Sequence, residues 1–104
     1  MSTLHLDLQP ERLAEFCETW RITELSVFGS ILRDDFGPDS DVDVLVEFDP
    51  DAPWDAWDLL QTREELREMF GRPVDLVEKK CLRNPFRRHA ILSTKQVIYA
   101  RPGE

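Results

Sequence analysis

The chain reads as a layered α/β or α+β domain in which helices pack against one sheet. Short apolar runs alternate residue by residue, with Val42–Phe48 the longest. Between them lie segments whose apolar residues recur at helical spacing, and Gly, Pro and Asn clusters separate the two kinds. At 104 residues the chain is expected to form one small domain, residues 1–104, with a single core and no second substrate-binding domain.

The elements follow in order. A first helix is expected from Pro10 to Trp20, with Leu13, Phe16, Cys17 and Trp20 on one stripe and Pro10 suited to the first turn. The run Leu25-Ser26-Val27-Phe28 reads as a strand, and Gly29-Ser30 turns it into a short helix beginning at Ile31. A loop from Phe36 to Ser40, punctuated by Gly37-Pro38, leads into the central strand Val42–Phe48. Asp49-Pro50-Asp51-Ala52-Pro53 ends that strand. A helix is expected from Trp54 to Phe70, with Trp57, Leu60, Leu66 and Phe70 in its apolar set and Trp54 and Trp57 serving core or interface rather than ligand. A tight Gly71-Arg72-Pro73 turn precedes a strand from Val74 to Val77. Asn84-Pro85 then marks a break before a helix Phe86–Leu92 and a last strand Gln96–Ala100.

Two carboxylates interrupt the central run. Side chains alternate along a strand, so Asp41 and Asp43 project to one face while Val42, Val44, Val46 and Phe48 face a core. Aspartate is a poor strand former, and two acids side by side repel unless a cation lies between them. A polar turn over Asp39–Asp43 is the plain alternative. A calcium loop is excluded, because its sixth and twelfth positions would be Val44 and Pro50 rather than Gly and Glu. Asp75, set among Val74, Leu76 and Val77, is the natural third acid, although one acid on an edge strand can simply face water. Three carboxylates on one patch are hard oxygen ligands suited to magnesium or manganese.

Gly29 and Ser30 approach the same patch from the other side. Glycine permits close backbone approach, the serine hydroxyl is a donor, and a helix N-terminus attracts phosphate; the serine also reads as a plain N-cap. Arg33, one turn on, reaches a triphosphate or pairs with Asp34 or Asp35, and the residue types leave both open.

With Gly29-Ser30, Arg33, Ser40-Asp41-Val42-Asp43 and Asp75 in this order, the chain resembles the polymerase-beta-like nucleotidyltransferase superfamily. More narrowly it resembles the minimal nucleotidyltransferase (MNT) family, encoded as antitoxins beside HEPN toxins. The resemblance spans nearly the whole chain and implies an α+β fold, a mixed sheet with flanking helices. It implies that Asp41, Asp43 and Asp75 hold two magnesium ions and carry catalysis. Gly29 and Ser30 would bind the triphosphate of ATP, with Arg33 and Ser40 as further nucleotide contacts. It also implies AMP transfer to a tyrosine of a HEPN toxin in a hetero-oligomer. An antitoxin that neutralises by binding alone is the alternative reading.

Size and charge narrow the acceptor. A chain this short is expected to borrow its acceptor site from a partner, which disfavours stand-alone modification of small molecules such as aminoglycosides. A formal net charge of -8 opposes general binding to polynucleotides, and no direct nucleic-acid contact is expected. Residues 79 to 89 nonetheless gather Lys79, Lys80, Arg83, Arg87, Arg88 and His89, an island suited to a solvated face, partner docking or nucleotide steering. Cys17 and Cys81 show no metal-binding spacing and no disulfide framework. No apolar signal or membrane-spanning stretch is visible, so a cytoplasmic location is expected.

Overall fold

The computed structural model describes residues 8–32 and 40–102. Helix α1 spans Pro10–Thr19, β1 Ile22–Phe28, β2 Val42–Phe48, α2 Ala56–Phe70, β3 Val74–Glu78, α3 Pro85–Thr94 and β4 Gln96–Ala100. Short 3-10 turns occupy Gly29–Leu32 and Lys79–Cys81. The strands form one mixed sheet in the order β3-β2-β1-β4. β1 runs antiparallel to β2 and β4, whereas β2 and β3 are parallel, joined by the α2 crossover that parallel strands require.

The central strand is covered on both faces. Val42, Val44 and Val46 lie in a core with Leu25, Val27, Leu13, Phe16, Cys17, Leu66 and Met69, which seats α1 and α2 on that face. Leu45 points the other way into a second cluster with Phe28, Leu82 and Ile91, which seats α3. Burial on both faces explains why β2 is apolar at nearly every position and why its two bounds were legible. Asp43 falls on the α3 face, two residues from Leu45 and opposite Phe28.

Several boundaries differ from the sequence expectation, by one residue at the ends of α1 and β3 and more instructively elsewhere. β1 begins at Ile22 rather than Leu25 because pairing carries the polar start: the Thr23 hydroxyl donates to the Glu47 carbonyl at 3.0 Å, and Glu24 pairs with Lys95. α2 begins at Ala56 rather than Trp54, because Asp55 and Asp58 form a reciprocal capping box. Trp54 instead stacks edge-on against Trp20, centroids 5.2 Å apart, and donates its indole N–H to the Trp20 carbonyl at 2.7 Å. α3 begins at Pro85, capped by the Asn84 side chain, and ends two residues late at Thr94, where Ser93 and Thr94 hydroxyls bond back to His89 and Ala90 carbonyls.

The apolar set expected for α2 is half corrected. Leu66 is fully buried and Phe70 packs on the core, but Trp57 and Leu60 are 66% and 44% exposed. The buried stripe is Thr62, Leu66 and Met69, and Trp57 and Leu60 lie off it.

Distant segments are tied at the ends of the sheet. Asp49, after β2, accepts from Arg101 at 2.8 Å and from the Asp51 N–H at 2.8 Å, and these hold its carboxyl below the usual range. The Cys17 thiol is pushed up to about 12 by burial, with Glu18 adding to it, as befits a packed structural thiol. Cys81 is exposed. Among the described residues no helix is long and apolar enough to cross a membrane.

Candidate active site

The site assembles where β1 ends and β2 and β3 begin. The register sets Asp43 opposite Phe28 on one side and directly beside Asp75 on the other. Parallel neighbours in register point to the same face, so these two carboxylates are adjacent on the sheet. Asp75 is exposed on the edge strand, Asp43 is half-buried, and Asp41 is exposed just before β2 begins.

Gly29 closes over Asp43. Its φ is +75°, a region L side chains rarely adopt, and a Cβ built there would lie 2.3 Å from the Asp43 Oδ2. Only a bare Cα therefore fits against this carboxylate. Gly29 opens the 3-10 turn itself, two residues before the expected helix start at Ile31, and the described part of that turn ends at Leu32. The Ser30 hydroxyl donates to the Asp41 carbonyl at 3.3 Å, which joins the glycine-serine turn to the segment carrying the first acid. Arg33 lies outside the described residues, as does all but Ser40 of the expected Phe36–Ser40 loop.

Ser40 meets Arg72, whose guanidinium Nη1 donates to the Ser40 carbonyl at 3.3 Å. The Val42 N–H donates to the Pro73 carbonyl at 2.9 Å. Arg72 therefore belongs to the site, although the sequence marks it only as the centre of a turn. Among the described residues no three His, Cys, Asp or Glu side chains are gathered closely enough to hold a metal ion. The three aspartates occupy one end of the sheet without closing into a cage. Their chemistry still suits magnesium, because all three are hard oxygen donors.

The basic island divides. Lys79 pairs with Glu47 at 3.6 Å and Lys80 with Glu78 at 3.1 Å. Arg88 donates to the Lys79 and Leu82 carbonyls, both at 3.4 Å. These three are engaged structurally, while Arg83, Arg87 and His89 are exposed on or beside α3 near Phe86, which is 85% exposed. Lys79 follows Asp75 by four residues, roughly 13 Å at the strand rise, so this lysine stands at the far end of β3 from the aspartates. A cleft of about 690 Å³ lies there too, walled by Phe48, Trp54, Leu59, Lys79 and Arg88. It contains none of the aspartates, and sequence reading missed it because its walls come from four separate segments.

The chain that presses this glycine turn onto one of two adjacent strand carboxylates belongs to the nucleotidyltransferase domain family, whose model matches residues 11–98. Within it the chain groups with the minimal nucleotidyltransferases, and its sheet is of the polymerase-beta-like kind. It is similar to the protein adenylyltransferase MntA of Thermococcus cleftensis, 33% identical over 85 residues, covering 82% of this chain and 81% of that protein. A Methanocaldococcus jannaschii protein described as a protein adenylyltransferase is 31% identical over 74 residues, covering 71% of this chain and 74% of its own. A solved minimal nucleotidyltransferase, 28% identical, superposes with a TM-score of 0.70 over 88% of this chain and 96% of that one. A toxin–antitoxin crystal structure with AMP-PNP superposes with a TM-score of 0.71 over 91% of this chain and 76% of its own; at 14% identity the likeness is one of fold.

Proposed function

We propose that this nucleotidyltransferase is the antitoxin of a HEPN toxin–antitoxin pair and that it transfers AMP from ATP to a tyrosine of the toxin. The observation that carries the reading is the register of Asp43 beside Asp75 with Gly29 closed over Asp43. In this reading Asp41, Asp43 and Asp75 hold magnesium, which supplies charge neutralisation along the triphosphate and a lowered pKa at the acceptor hydroxyl. The residues themselves provide position. Gly29 lets the triphosphate approach the backbone closely, and Ser30 donates its hydroxyl proton to a phosphate oxygen. The acceptor oxygen bonds to the α-phosphorus as the bond to the bridging β-phosphate oxygen breaks, and pyrophosphate leaves. Asp75, exposed at the sheet edge, is placed to accept the hydroxyl proton from an acceptor brought by the partner. The cytoplasm is the proposed site of action.

Relatives named as protein adenylyltransferases support the reaction class, and fold neighbours crystallised as toxin–antitoxin complexes support the partner. The test is intact-mass spectrometry of the toxin after incubation with this protein, ATP and magnesium. The expected result is added mass in steps of one AMP, lost when magnesium is chelated. A toxin of unchanged mass in a complex that still blocks its activity would establish neutralisation by binding alone.

A further inference from the structure

We infer that Arg72 is a positioning residue that holds the Asp41 segment in place once nucleotide draws the Ser30 hydroxyl away. The inference rests on the magnesium and nucleotide roles proposed above. Among the described residues, the bonds that fix the chain on either side of Asp41 include one from the glycine-serine turn and two from the 71–73 turn. Ser30 Oγ donates to the Asp41 carbonyl at 3.3 Å, Arg72 Nη1 to the Ser40 carbonyl at 3.3 Å, and the Val42 N–H to the Pro73 carbonyl at 2.9 Å.

These bonds are not equivalent when ATP binds. A serine hydroxyl carries one proton, so Ser30 cannot donate to a phosphate and to the Asp41 carbonyl at once. When the hydroxyl turns to phosphate, the two bonds from the 71–73 turn still hold the residues before β2. That turn leads directly into β3, which carries Asp75. Arg72 therefore couples the backbone at the first acid to the strand of the third, and its half-buried guanidinium adds a cation where three carboxylates share one end of the sheet. Groups that orient metal ligands without touching the metal commonly change affinity by about 10–100-fold when removed.

The test is Mn²⁺ binding followed by electron paramagnetic resonance of the free ion, with and without AMP-PNP, for wild type, Arg72→Ala, Arg72→Lys and Arg72→Met. Arg72→Ala is expected to weaken Mn²⁺ binding about tenfold, with the larger loss in the presence of AMP-PNP, and Arg72→Lys, which keeps a charged donor, to recover most of it. Arg72→Met, which keeps the side-chain length and removes every donor, is expected to lose affinity as Arg72→Ala does. Equal affinity of wild type and Arg72→Ala under both conditions overturns the inference while leaving the proposed function standing. Wild-type affinity in Arg72→Met overturns it as well, and does so even if Arg72→Ala fails to fold. A wild-type protein that binds no Mn²⁺ removes the proposed function itself.

Discussion

An Asp75→Asn protein is expected to be more thermally stable than wild type in the absence of divalent metal and, at the same time, to have lost transfer. Asp43 and Asp75 are direct neighbours in the parallel ladder, and like charges so placed oppose folding by roughly 0.2–1 kcal/mol. For a domain of this size that corresponds to a rise in Tm of roughly 1–8 °C. The same change removes an oxygen charge from the proposed metal site and should slow transfer by about 10³-fold or more, since metal stabilisation supplies several kcal/mol. Calorimetry with and without magnesium, together with the toxin mass assay, checks both halves. An edge-strand aspartate that merely faces water would leave Tm and transfer unchanged.

The second large effect is expected at Gly29. Gly29→Ala places a Cβ at positive φ, a cost of about 1–2 kcal/mol, and drives it into the Asp43 carboxylate, from which it would stand 2.3 Å. Gly71 is the internal comparison, because its φ is +67° and a Cβ there meets nothing within 4 Å. Gly71→Ala therefore bears the backbone cost alone, and Gly29→Ala should unfold at a distinctly lower temperature. Relief of the collision requires Asp43 to rotate or the turn to lift. A displacement near 1 Å at the site is enough to cost about 100-fold in transfer. Thermal melts of the two alanine variants, read beside their transfer rates, would show the difference; equal melting temperatures would contradict the close packing of Gly29 on Asp43.

What could be read from the sequence follows from which interactions are local. Val42–Phe48 and Gln96–Ala100 were delimited by alternation between turn residues, and both match the structure. The early start of β1 was hidden because Glu24, a poor strand former, interrupts the run after Ile22 and Thr23, and Thr23 and Glu24 are held by Glu47 and Lys95 from elsewhere in the chain. The start of α2 was written in Asp55-Ala56-Trp57-Asp58, a capping box spelled with two aspartates. Trp54 obscured it by extending the apparent apolar stripe. At the site, spacing alone puts Asp41 and Asp43 on one face, but only the parallel register brings Asp75 beside Asp43. The closure of Gly29 over Asp43 and the reach of Arg72 to Ser40 depend on backbone geometry that residue types do not record.

The central claim is that nucleotide and metal engage the Gly29–Asp43–Asp75 end of the sheet rather than the cleft beside Trp54 and Arg88. A crystal of the protein grown with AMP-PNP and Mn²⁺, with anomalous differences recorded, tests this directly. The account predicts manganese peaks against the Asp41, Asp43 and Asp75 carboxylates and phosphates along the Gly29-Ser30 turn. Nucleotide in the cleft walled by Phe48, Trp54 and Arg88, with no anomalous density at the aspartates, would contradict it.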